Sequence, residues 1–173
     1  MNSNIKKLIS IALYIAMFTV LSIYGTINIV DAKLTLQNFP LLLGAITLGP
    51  TAGAIIGFTG ALLNQLLTYG FTPTTLIWVL PHTIFGLLTG LVFENKKLKA
   101  DKGVRFWVTI IVLQLILTLL NTVALFVDSV IFGYYSFLLI FGSLIARLML
   151  SVLTSIVYCC ILPPVLKVIK KIH

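Results

Sequence analysis

Charged side chains are scarce in this chain, and the charged, amide and imidazole groups inside its apolar stretches are the ones placed to do chemistry. Arg147 stands mid-run in Ser143-Leu144-Ile145-Ala146-Arg147-Leu148-Met149. An arginine at such depth in a bilayer costs about 2.5–3.5 kcal/mol on insertion scales, so it should face a bundle interior or a wet cavity. There it can pair with an anionic group of a ligand. An ion pair with Asp128, a hydrogen bond to helix carbonyls, or snorkelling from a span boundary would satisfy it as well. Trp78 and His82 are four apart on one helix face, which offers either a stacking surface for a flat heterocycle or an interfacial tryptophan above a packed ring. Asn38, Asn64 and Asn121, together with Gln37, Gln65 and Thr75, fall toward one side of their segments. Taken singly, amides in lipid hydrogen-bond between helices. Their shared bias favours a pocket open on that side.

Several chemistries are excluded. There is no G-x-x-x-x-G-K-[ST] phosphate loop and no H-E-x-x-H, and the four acidic residues, Asp31, Glu94, Asp101 and Asp128, are all expected at loops. Neither nucleotide hydrolysis nor metal-assisted catalysis is encoded, and an intramembrane enzyme lacks its paired carboxylates. His82 has no second histidine or cysteine nearby, and the adjacent Cys159 and Cys160 form no spaced metal site. No cofactor is implied. A process driven by ATP would need another chain to hydrolyse it.

The elements that hold these residues are membrane spans. Of 173 residues, 60% are hydrophobic and 9% charged, a balance no soluble domain of this size shows. A crossing helix needs roughly 20 apolar residues, so the chain accommodates about six crossings and no separate soluble domain. The expected spans are 5–25, 36–49, 51–69, 74–93, 106–127 and 136–166, forming one transmembrane domain over residues 1–173. The first run exceeds a signal-peptide core and ends in Ser22-Ile23-Tyr24-Gly25 without a cleavage motif, so it reads as a retained helix. The second is short. It opens at Asn38-Phe39-Pro40 and turns at Leu48-Gly49-Pro50, so residues 36–69 form a hairpin that either crosses twice or dips in and returns.

Ten of the twelve basic residues fall in three clusters: Lys6 and Lys7; Lys96, Lys97, Lys99, Lys102 and Arg105; Lys167, Lys170 and Lys171. The positive-inside rule puts all three in the cytoplasm, which requires even numbers of crossings between them and places both termini inside. The outer face then carries the loops 26–37, 69–74 and 128–135, whose Tyr69, Phe71, Tyr134 and Tyr135 read equally well as an aromatic belt. The polar bias noted above is toward this outer side. Small residues four apart, which let helices approach closely, recur at Ala12 and Ala16, at Gly53, Gly57 and Ala61, at Gly86 and Gly90, and at Gly142 and Ala146. Most should pack inside the bundle. Ala12 and Ala16, in the cytoplasmic half of the first span, are placed to meet another subunit.

Length, six spans, a long outer loop after the first helix, the hairpin from Leu36 to Ala54 and the Ala12-Leu13-Tyr14-Ile15-Ala16 pair together resemble the substrate-binding S components of energy-coupling factor (ECF) transporters. The likeness covers essentially the whole chain. It implies a multi-pass protein of the bacterial cell membrane that captures a vitamin or vitamin precursor from outside. Its implied partners are a transmembrane coupling subunit and two ATPase subunits, with Ala12 and Ala16 as the docking pair. The loop 26–37 takes the place of the family's gating loop. By position, Asn38, Asn64, Trp78, His82, Asn121 and Arg147 fit the substrate-binding residues. Arg147 leans toward a carboxylate-bearing ligand such as folate or pantothenate, whereas Trp78 and the amides lean toward a pyrimidine or pyridine precursor. The alternative is a non-transporting scaffold or assembly protein, in which these polar groups satisfy one another and leave no cavity.

Overall fold

The computed structural model describes residues 3–29, 32–94 and 103–172. It is helical apart from one short hairpin. The elements in order are α1 (Ser3–Tyr24), β1 (Thr26–Ile29), β2 (Ala32–Thr35), α2 (Asn38–Leu48), α3 (Pro50–Tyr69), α4 (Thr75–Glu94), α5 (Val104–Ile131) and, after a π-helical turn at Leu138–Gly142, α6 (Leu144–Ile172). Five of these, α1 and α3 to α6, are long and apolar enough to cross a membrane.

Expected and observed elements differ most at α2. Its 11 residues rise only about 16 Å, half the thickness of a hydrocarbon core. Leu41, Leu42, Leu43, Ala45 and Ile46 are all buried. α2 is therefore a core helix wrapped by its neighbours rather than a lipid-facing span. Gly49, at φ 95°, ends it, and Pro50 opens α3 at a position where its missing N–H costs nothing.

The helices alternate in direction between two ends. Tyr24, Asn38, Tyr69, Thr75, Ile131 and Leu144 lie toward the end that carries the hairpin, and Ser3 and Ile172 lie toward the other. α3 and α4 make the closest pair. A Cβ on Gly53 would collide with the Gly86 carbonyl and one on Gly86 with the Gly53 carbonyl, while Gly57 abuts the His82 carbonyl and Gly90 abuts Pro50. Only hydrogen fits between backbones this close. This seam places α4, with Trp78 and His82, firmly against α3.

Three expectations are corrected. α5 continues past residue 127 to Ile131, so Asp128 is helical and buried rather than in a loop. The helix stops where Gly133 takes φ 72° and Tyr134 N–H reaches the Ser129 carbonyl at 3.0 Å, a left-handed cap that only shortly after Asp128 turns the chain. Arg147 lies in the first turn of α6, not mid-span, because the π-turn and Ser143 interrupt the last apolar run. Gly142 and Ala146 are exposed, and only the Leu138 side chain lies near Gly142, so this pair does not pack inside the bundle. Asp31, Lys96, Lys97, Lys99, Asp101 and Lys102 lie outside the described residues.

Candidate functional site

The chain leaves α1 at Gly25 and returns through an antiparallel pair in which Thr26 faces Thr35 and Ile29 faces Ala32. The expected loop 26–37 is thus mostly a hairpin, and the alternation Thr26-Ile27-Asn28-Ile29 was the signal for it. Leu36 N–H closes the base of the hairpin on the Gly25 carbonyl at 3.3 Å. Tyr158 of α6, fully buried, donates its hydroxyl to the Thr35 carbonyl at 2.8 Å.

Between this hairpin and the ends of α3 to α6 lies a cavity of about 820 Å³, a size typical of small-molecule sites. Its walls follow helical periodicity. α4 contributes Trp78 and His82; α5 contributes Gln114, Thr118, Asn121, Leu125 and Asp128; α6 contributes Arg147, Leu150, Ser151 and Thr154. The α5 set runs i, i+4, i+7, i+11, i+14, one face of a helix. Each of the six residues expected to line a pocket, Asn38, Asn64, Trp78, His82, Asn121 and Arg147, lines this one.

Their partners differ. The Asn64 side-chain oxygen accepts from Ser22 at 2.9 Å and from Thr68 at 3.2 Å, which ties α3 to α1. Asn38 donates to Gln114 at 3.5 Å, while its own side-chain oxygen is buried without a partner among the described residues. His82 Nε2 meets Gln37 Nε2 at 3.0 Å, so the imidazole presents a lone pair there and the glutamine amide donates. Phe18 packs edge-on to the ring, centroids 5.5 Å apart. Asp128 accepts from Trp78 Nε1 at 3.2 Å and from the Tyr134 hydroxyl. Desolvation, then the bond to Asp128 and its charge, push the Tyr134 phenol up to about 12, so it is a donor at physiological pH.

Sequence reasoning missed Gln114 and Asp128 as pocket residues, and passed over Tyr158. Gln114, Asn121 and Asp128 are spaced by seven, two helical turns each. That polar stripe inside an apolar run was visible once the true end of α5 was known.

Among the described residues, the lining side chains other than Asp128 and Arg147 are neutral hydroxyls, amides, aromatics and aliphatics, with His82 between Gln37 and Phe18. Such walls hold a ligand by hydrogen bonds and stacking, and the cavity lies at one end of the helix bundle only. Fold and site together define a multi-helix membrane protein with a ligand-sized polar cavity near one face. The sequence profile of the family described as ECF-type riboflavin transporter, S component, matches residues 2–171, and the chain belongs to that family. It is also similar to proteins described as UPF0397 protein from two strains of Clostridium perfringens, at 30% identity over 125 residues, or 71% of this chain. The match spans 65% of the length of those relatives. No solved structure matches the chain.

Proposed function

We propose that this chain is the substrate-capturing subunit of an ECF-type importer and that its ligand is riboflavin or a vitamin built like it, a flat heterocycle with a polar tail. The cavity carries this reading. It joins an indole wall at Trp78 to a stripe of hydroxyls and amides on α5 and α6, which suits one planar, uncharged ring system and several hydroxyl groups. The family's description supplies the name of the vitamin. In this reading the chain is a single transmembrane domain, the cavity faces outside and both termini lie in the cytoplasm with the three basic clusters. α2 and α3 form the return hairpin of a six-helix arrangement. A coupling subunit and two ATPases drive release inward, and Ala12 and Ala16, both exposed on α1, form part of the docking face.

One observation favours a second ligand class. Arg147 lines the cavity and suits a carboxylate, which keeps folate and pantothenate on the panel. The test is thermal unfolding of the purified protein with riboflavin, folate and pantothenate. A ligand at 100 times its dissociation constant stabilises by about 2.7 kcal/mol. Riboflavin is expected to raise the melting temperature and the two acids to leave it unchanged. A shift with an acid alone transfers the assignment to that vitamin, and no shift with any of them favours the scaffold alternative.

A further inference from the structure

Asp128 is a carboxylate in the last turn of a membrane-crossing helix, only 8% exposed, on the wall of the cavity. A charge in that setting is costly unless hydrogen bonds replace its water. Two donors do so, and they come from different parts of the chain: the Trp78 indole on α4 and the Tyr134 hydroxyl in the connection from α5 to α6. Of these two flat rings, that of Trp78 is the one that lines the cavity. An indole has a single N–H, so this bond to Asp128 fixes the edge of the ring and with it the plane that the cavity sees.

We propose that Asp128 is the positioning residue of the cavity: it clamps the Trp78 indole as a stacking platform, so that the preference for a planar heterocycle depends on a carboxylate that need not touch the ligand. The geometry gives this reading its direction. Both carboxylate oxygens are engaged, Oδ1 by Trp78 and Oδ2 by Tyr134, so Asp128 is occupied in holding protein groups. Tyr134, which by sequence resembles an interfacial tyrosine, is then the outer brace of the clamp. The inference rests on the planar-ligand reading above and is tested so that the two can fail separately.

The experiment is a double-mutant cycle read by riboflavin affinity, together with Trp78 fluorescence anisotropy in a Trp107→Phe background, where Trp78 is the sole tryptophan. Asp128→Asn keeps the shape but leaves one acceptor oxygen for two donors. It should weaken riboflavin at least tenfold, or about 1.4 kcal/mol, and lower the anisotropy of the ligand-free protein. Trp78→Phe removes the N–H. In that background Asp128→Asn should cost less than twofold, because the clamped group is gone. An equal loss in both backgrounds overturns the proposal, since Asp128 would then act directly on ligand or on the fold at large. Unchanged affinity in the single variant overturns it as well. If the unmutated protein does not bind riboflavin, the functional reading fails, and the clamp is judged by anisotropy alone: no drop on Asp128→Asn sinks it. Should Asp128→Asn not fold, Asp128→Glu, which keeps the charge and displaces it by one methylene, takes its place in the same cycle with the same outcomes.

Discussion

On α3 and α4, Gly53, Gly57, Gly86 and Gly90 lie where two backbones touch, whereas on α1 Ala12 and Ala16, at the same four-residue spacing, face outward beside Ile5, Ile9, Leu13 and Val20. The spacing is common to both regions; what differs is the presence of a second helix with matching small residues. A small-residue stripe permits close approach but does not supply the partner. On α3 and α4 the partner is in the chain and the seam is part of the fold. On α1 the stripe leaves room for a helix from elsewhere.

Substitutions that fill these stripes sharpen the contrast. The largest effect is expected from Gly86→Val, whose side chain would meet the Gly53 backbone, which cannot move aside as a side chain can. It should destabilise the protein by about 3 kcal/mol or more, at the upper end of overpacking costs, and thermal unfolding in detergent is the check. A loss under about 1 kcal/mol would mean that the seam is less tight than the backbone contacts imply. Next comes Tyr158→Phe, which leaves the Thr35 carbonyl without the hydroxyl it accepts from. The cost should be about 1–3 kcal/mol, with faster proteolysis within the hairpin. Unchanged proteolysis would remove Tyr158 as its anchor.

Smaller still is a pH effect. The Tyr134 phenol is raised from 10.0 to about 12, so its neutral form is favoured in the folded protein, and that contribution is complete below pH 10. It is lost as pH rises toward 12, where ionisation would set two negative charges against each other. In the Trp107→Phe background, Trp78 anisotropy should therefore be flat through pH 10 and fall in a step near the folded value of about 12, and Tyr134→Phe should abolish the step. The smallest stability change is expected for Ala16→Leu, within about 0.5 kcal/mol as for other exposed sites. If the α1 stripe docks a coupling subunit, co-purification with that subunit should nevertheless be lost. A large destabilisation with assembly intact would make the stripe an internal packing surface.

Much of the site was legible because membrane chains punish polar residues. Asn38, Asn64, Trp78, His82, Asn121 and Arg147 could be picked out one by one as polar or aromatic groups in apolar runs, and the structure brings all six to one cavity. Asp128 was not legible as a lining residue. Whether a residue near a span boundary is helical and buried depends on where the cap falls, and Gly133 puts it beyond Asp128. For the same reason Arg147 was read mid-span when the interruption before α6 places it in a first turn. The hairpin 26–35 was read as an open loop, since four-residue strands carry too little periodicity to stand out beside helices.

By itself, then, the sequence determined the class of molecule: apolar content and run length make a bundle of membrane helices. That is a property that local composition decides. Which polar residues share a cavity, and which glycines find a partner, only the tertiary structure decided. Gln37 and His82, or Trp78 and Asp128, are 45 and 50 residues apart and meet because α2, α4 and α5 converge at one end of the bundle. Contacts over such separations depend on how helices pack, and no local pattern in the chain records that.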